Sequence, residues 1–435
     1  MAKILLVKHL FPYPPSQGTR RVSLALLGDL ATRHEVVYLC QLEHPGEREL
    51  VPKIERLGVR VVAPLMPNHR TPVHRLLYKI KNRALSRLQD IPEVCYYWSN
   101  IALRTNLERL QDEFAPELTI LENWETFPLR RSIKTGIAAL LAHDAAFQIL
   151  ERAVAATTDP RERARRARAL EQQKRLEIAA WGMYEAVMTL TESDRETIEQ
   201  ELGLPDPQDS LSPGLPPIKP IVRHLPVPVP GEFFDFSRPA TPGKRVGFLG
   251  TFRAHFNRDA LEFLLQEIWP ELSWAVPDAR LVIAGNGYQG RLKTAAERAG
   301  ARWMGFVHDL DEFFQAIDVL LVPLRFGGGV RIRILEALAA GVPIVATPVA
   351  LAGLAARPEE HLLLGADAAE IAGQIEWLFA NPREAAAMGA RGRAWCREAH
   401  GPEALRPRRL AVIDEILALR SAAGDARRHD RGGRS

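Results

Sequence analysis

Apolar residues fall along this chain in short runs separated by helical stretches. Ala2 to Val7 and Glu35 to Cys40 read as buried strands, with the amphipathic segment Thr19 to Ala31 between them. A βαβ opening of this kind predicts a parallel sheet. Further strands are expected at Leu118 to Leu121, Ala138 to Leu141, Ala186 to Thr191 and Ile221 to Leu225. A second series follows at Arg245 to Leu249, Arg280 to Ala284, Trp303 to Val307, Val319 to Val322 and Val342 to Ala346. Helical patterns lie between them, at Asp159 to Trp181, Asp259 to Ile268, 311–317, Arg331 to Ala340, Ala368 to Phe379 and Pro407 to Ala418. Residues 203–243 hold eleven of the 32 prolines and read as a linker, with the domain boundary near Pro230-Gly231. The pattern therefore predicts an α/β protein of two domains, 1–230 and 231–422. The Arg-rich end, 423–435, reads as a disordered tail.

One stretch concentrates the chemistry. Residues 321–347, LVPLRFGGGVRIRILEALAAGVPIVAT, read as strand, glycine turn, helix, turn and strand. Gly327, Gly328 and Gly329 permit a close backbone approach that side chains would block. The helix that follows opens with Arg331 and Arg333, where the macrodipole already places positive charge. Cations there cost a few tenths to about 1 kcal/mol each, unless an anion sits on the amides. A glycine turn, a helix N-terminus and arginines together make a phosphate site. Glu336 lies further along the helix, where a carboxylate can reach hydroxyls on something attached to that phosphate. A nucleotide diphosphate sugar has this layout. The plainer alternative is an ordinary βαβ unit with surface arginines and a Glu336–Arg333 pair.

Three other loops fall at carboxyl ends of strands, where α/β proteins bind ligands. The first, HLFPYPPSQG, ends at Gly18 and is followed by Arg20 and Arg21 at the start of a helix. The second carries His143-Asp144 after Ala138 to Leu141. The third holds Gly250, Arg253 and Asn257 after Arg245 to Leu249; strand, glycine, Arg and helix again suggest phosphate contact.

These motifs together resemble glycosyltransferase family 4, the "group 1" enzymes of the GT-B fold. The resemblance is carried by 11–21, 143–144, 247–257 and, above all, GGGVRIRILEALAAGVPIVAT. It implies two Rossmann-like domains with parallel sheets, facing each other across a cleft, and a last helix that braces the N-domain. The implied activity is transfer of a sugar from a nucleotide diphosphate sugar to an acceptor hydroxyl, with retention of anomeric configuration and no metal or cofactor. Glu336 would hold the donor ribose. Arg331, Arg333, Arg253 and the amides of Gly328, Gly329 and Val330 would stabilise the departing phosphate, and His143 would sit near the reacting sugar. Gly18, Gly250, Asn257, Gly285, Gly287, Val307 and Leu335 complete the expected donor site. The family usually has a second Glu where this chain has Gly328. A glycine-rich branch lacks it and typically carries Arg-x-Lys where Arg331 and Arg333 stand here.

Composition narrows the alternatives. With 435 residues, 46% hydrophobic and 25% charged, the chain suits two soluble domains. MAKILLVKHLFPYPP has too short an apolar run for a signal peptide. Cys40, Cys95 and Cys396 are scattered, which favours a reducing cytoplasm and provides no metal-ligand spacing. The net charge of +4 is mild, and the Arg-rich stretch Asp159 to Trp181 lacks the aromatics of a nucleic-acid surface. Residues 70–90 alternate basic and apolar positions. They are expected to pack the Leu77, Ile80, Ala84 and Leu88 stripe into the core, the alternative being a helix lying on anionic lipid. That alternative would place the protein peripherally on the inner face of the membrane, with a glycan or lipid-linked glycan as acceptor.

Two motifs point elsewhere. Gly285-Asn-Gly287-Tyr-Gln-Gly290 spells a dinucleotide fingerprint, which would make an NAD enzyme. It follows the second strand of its domain, and the resemblance makes it a turn lining the donor cleft. Asp309-Leu310-Asp311 spells a metal-diphosphate motif, yet Asp309 fits a helix N-cap. The rival readings are a GT-B-fold epimerase and a non-catalytic binder of nucleotide sugars.

Overall fold

The structure is a computed structural model that describes residues 1–15, 18–67, 72–155, 157, 159–203, 219–237, 243–287, 290–326 and 331–432. The chain divides into two compact units. Met1–Pro226 and Arg406–Ser435 form the first, and Val227–Leu405 the second.

Unit 1 is built on strands β1 (Lys3–Val7), β2 (Glu35–Leu39), β3 (Arg60–Val62), β4 (Leu118–Glu122), β5 (Ile137–Ala142), β6 (Ala186–Thr189) and β7 (Ile221–His224). They form one sheet in the order β3-β2-β1-β4-β5-β6-β7, and every pairing is parallel. The central strands are buried on both faces, which is why they read as unbroken apolar runs rather than alternating ones. The order reverses between β1 and β4, so the carboxyl ends of these two strands form the unit's switch point. Helix α1 (Gly18–Ala31) connects β1 to β2.

Unit 2 repeats the plan. Its strands are β8 (Arg245–Leu249), β9 (Arg280–Ala284), β10 (Arg302–Gly305), β11 (Val319–Val322), β12 (Ile344–Ala346) and β13 (Leu363–Leu364). The sheet order is β10-β9-β8-β11-β12-β13, all parallel. The switch point here lies between β8 and β11. The helix after β11 is Ile332–Ala339, with Arg331 at its N-cap.

Three expectations change. Helix α2 (Pro72–Gln89) forms where residues 70–90 predicted one, but it does not bury the predicted stripe. Leu77, Ile80 and Leu88 are 59%, 57% and 82% exposed. Tyr78 and Asn82 face inward instead. Tyr78 rests its ring near Tyr97 and donates to the Tyr96 carbonyl at 3.2 Å, so an aromatic anchor, not the aliphatic stripe, sets the helix rotation. The passage between units falls at Pro226–Val227, slightly before Pro230-Gly231. The final helix, Pro402–Gly432, continues through most of the expected tail. Its alanines and arginines are good helix formers, although Gly424, Asp425 and Asp430 are not.

From Arg406 that helix belongs to unit 1. Asp29 on α1 meets Arg406 Nε at 3.2 Å and Arg409 Nε at 2.6 Å, and Arg409 Nη1 donates to the Pro226 carbonyl at 2.7 Å. Arg409 is fully buried. The returning helix is thus tied to both α1 and the end of the first segment.

Candidate active site

The unit 2 site begins where β8 ends. The Leu249 carbonyl accepts from Arg333 Nη1, and Arg333 Nη2 donates to Asn257 Oδ1 at 2.9 Å. Asn257 is fully buried and donates in turn to the Thr251 carbonyl at 2.9 Å. A Cβ on Gly250 would lie 3.0 Å from Asn257 and 3.3 Å from Arg333 Nη1. The glycine is what lets the turn close on the guanidinium. Gly285 has φ +154, and a Cβ there would sit 1.8 Å from the Gly250 carbonyl oxygen; Gly287 has φ +102, and a Cβ there would sit 2.9 Å from the Arg253 amide nitrogen. The glycine pair therefore serves the packing of the β9 loop on the β8 loop, which accounts for the dinucleotide-like spelling. Arg253 itself is exposed.

The two arginines of the 321–347 motif come together here. Arg331 is buried and lies over the Phe256 ring at 5.5 Å. Burial first, then the charge of Arg331, bring the Arg333 guanidinium down to about 10, with Glu336 opposing them. Glu336 is buried on the same helix. Two crowded guanidiniums beside one carboxylate leave an excess of positive charge that an anion would relieve. A guanidinium has five N–H donors, and the two bonds of Arg333 leave more for a ligand. Leu335 points its side chain into the core, so only its backbone can meet a ligand. Val307 is partly buried against the same core. Gly328, Gly329 and Val330 lie outside the described residues. Asp309 accepts from the Asp311 amide at 2.9 Å and is a helix cap.

Unit 1 has its own polar cluster at its switch point. His143 follows β5, and its Nε2 lies 3.1 Å from Glu122 Oε2. Glu122 closes β4 and is fully buried, as is Lys8 immediately after β1, and the two meet at 2.6 Å. Burial alone would raise the Glu122 carboxyl, but the charge of Lys8 and the hydrogen bond from His143 hold it at about 2. Burial lowers His143, against the pull of Glu122. His9 is buried too, stacked on Trp98 with ring centroids 3.7 Å apart. Gly18 starts α1, but the adjacent arginines are committed to the loop. Arg20 Nη1 donates to the Tyr13 and Pro14 carbonyls, and Arg21 Nε to that of Pro15.

Of the expected residues, Gly250, Asn257, Gly285, Gly287, Arg331, Arg333 and Glu336 gather in unit 2, and His143 stands in unit 1. Lys8, His9 and Glu122 were not anticipated. Their signal was a charged or polar residue closing an otherwise apolar strand, in KILLVKH and LTILE.

Comparison with known proteins places these sites in context. Residues 243–381 match the family model of the glycosyl transferases group 1. Over 147 residues the chain is 35% identical to a GDP-mannose-dependent alpha-(1-6)-phosphatidylinositol monomannoside mannosyltransferase of Mycolicibacterium smegmatis, a match covering 29% of this chain. The chain spans 37% of the length of that curated relative. Among solved structures, sucrose-phosphate synthase from Thermosynechococcus elongatus superposes with a TM-score of 0.66 at 15% identity, covering 96% of this chain and all of the other (100%). HepE of Anabaena, in complex with UDP-glucose, gives 0.63 at 13%, covering 95% of this chain and 100% of that one.

Proposed function

We propose that this chain, which has the GT-B fold and whose residues 243–381 match the family model of the group 1 glycosyl transferases, moves a sugar from a nucleotide diphosphate sugar to an acceptor hydroxyl. The observation that carries the reading is the cluster of Arg331, Arg333 and Glu336 on one helix at the unit 2 switch point. The guanidiniums would take the diphosphate and Glu336 the ribose hydroxyls. As the sugar leaves as an oxocarbenium-like species, negative charge grows on the departing phosphate. Arg331, Arg333, Arg253 and the amides of 328–330 would stabilise that charge, without a metal. His143 is assigned to the sugar and acceptor hydroxyls. The names of the relatives support a nucleotide-sugar donor, since one uses GDP-mannose and another was solved with UDP-glucose.

The finer features belong to the same proposal. The reaction retains configuration and contributes to cell-surface or exopolysaccharide glycan, from the cytoplasmic side of a membrane. Helix α2 supports the last point. It exposes Leu77, Ile80 and Leu88 beside Lys79, Arg83 and Arg87, a layout suited to anionic lipid. No helix among the described residues is long and apolar enough to cross a membrane.

The test is a thermal-shift screen with UDP-, GDP-, ADP- and dTDP-sugars and with NAD(P), in EDTA. A donor at about 100 times its dissociation constant adds about 2.7 kcal/mol, a rise of a few degrees. One nucleoside diphosphate class should give that rise, and Glu336→Ala should abolish it. Normal donor affinity in that variant, or a response to NAD(P) alone, overturns the assignment. Product analysis with and without added acceptor separates a transferase from an epimerase.

A further inference from the structure

The buried cluster of unit 1 contains more polar chemistry than a fold needs. Lys8 Nζ has three acceptors, Thr19 O at 2.8 Å, Ser23 Oγ at 2.6 Å and Glu122 Oε2 at 2.6 Å, which use all three of its N–H groups. Glu122 Oε2 in turn gathers Lys8, Ser23 Oγ at 2.8 Å and His143 Nε2 at 3.1 Å. Taking a lysine and a glutamate wholly out of water is expensive, even when they are paired. The three strand ends that supply Lys8, Glu122 and His143 are β1, β4 and β5, which lie side by side in the sheet.

The protonation pattern follows from donor and acceptor rules. A glutamate paired with a lysine is ionised, and an ionised carboxylate only accepts. The contact at His143 Nε2 must therefore be a donation from the ring. A second full charge beside Lys8 is disfavoured at such depth, so the imidazole is neutral and carries its one proton on Nε2. Nδ1 is then a lone pair. Among the described residues it has no partner, and it is not among the atoms closed off from solvent.

We propose that Glu122, locked by Lys8 and Ser23, is a positioning residue that fixes His143 as the Nε2–H tautomer, so that His143 meets its substrate as a hydrogen-bond acceptor through Nδ1. The group it takes is a hydroxyl of a sugar or alcohol, which has a proton to give. A phosphate oxygen would need a donor that this tautomer does not offer. The inference rests on the assignment of His143 to the substrate in the transferase reading.

The experiment uses the full chain labelled with ¹⁵N-histidine. Long-range ¹H–¹⁵N spectra distinguish the two neutral tautomers and the imidazolium, and His143→Gln identifies the signal. The wild type should show the Nε2–H form alone around neutral pH. Glu122→Asp keeps a charge for Lys8 but withdraws the carboxylate by one methylene. It should release a mixture of tautomers and lower kcat for donor turnover by about tenfold or more, with the donor KM unchanged. The charge-free pair Lys8→Met with Glu122→Leu should do the same if the single variant folds poorly. An Nδ1–H or imidazolium wild type overturns the proposal, as do variants that leave tautomer and kcat unchanged. A wild type that turns over no nucleotide sugar defeats the transferase reading instead, while the spectra still decide the tautomer.

Discussion

At the residue scale, burial decides what each ionisable group can do. Glu125 follows the Glu122 strand end and is pushed up to about 7, by burial first and then by Asp144, against its own backbone hydrogen bond. Its Oε2 is buried without a partner among the described residues. A carboxyl raised from 4.5 binds its proton more tightly in the fold than in the unfolded chain. Stability is therefore greatest below the unfolded value and is lost as pH rises through about 7. The loss is on the order of 2 to 3 kcal/mol. Denaturant unfolding of Glu125→Gln should show a flatter pH slope over this interval and a more stable protein above it. An unchanged slope would assign the pH dependence to other groups, of which Glu177 is raised in the same direction, also by burial first. Glu122 has the opposite sign. Its depressed carboxyl supports the fold above the unfolded value of 4.5, and that support fades as pH falls toward about 2.

At the element scale, helix α2 is the clearest case of a pattern read correctly and placed wrongly. Its basic and apolar spacing was legible, but which face turned inward depended on Tyr78 and its contacts with the Tyr96–Tyr97 segment. Those contacts join residues 18 and 19 positions apart on different elements, so no helical period encodes them. The exposed stripe leads to a prediction. Flotation should carry the wild type with vesicles rich in anionic lipid, and less so at high salt. Each basic side chain near such a surface contributes about 1 kcal/mol, so replacing Lys79, Arg83 and Arg87 together by Ala should leave most of the protein unbound. Flotation that persists in the triple variant would remove α2 as the contact. The β8 and β9 loops make a related point. Gly285 and Gly287 spelled a dinucleotide turn, but their Cβ positions are occupied by the neighbouring loop. The same spacing serves packing here.

At the scale of the whole molecule, the final helix decides how the chain is divided. Its residues from Arg406 onward join unit 1, through the buried Arg409 and its partners Asp29 and Pro226. Burial lowers Arg409, against the support of Asp29. Removing one partner of a buried pair leaves the other charge uncompensated, at a cost of about 3 kcal/mol or more. Arg409→Ala should therefore lower the stability of unit 1 by that order in chemical denaturation. A change below about 0.5 kcal/mol would mean that Arg406 alone neutralises Asp29.

The sequence by itself determined the two α/β sheets, most strand positions and the Arg331, Arg333 and Glu336 motif. Each depends on local spacing, either apolar runs that must be buried or charges set close together at a helix start. It did not determine the short strands β3 and β13, whose three and two residues are too few to form a pattern. Nor did it reveal Lys8–Glu122–His143 or Asp29–Arg409 as pairs. Those partners lie 114, 21 and 380 positions apart in the chain. A lone lysine after a strand or a lone arginine in a helix reads as a solvated charge until the fold removes its water. Only tertiary structure, by bringing neighbouring strand ends together and turning one face of each helix inward, decided which charges had to find each other.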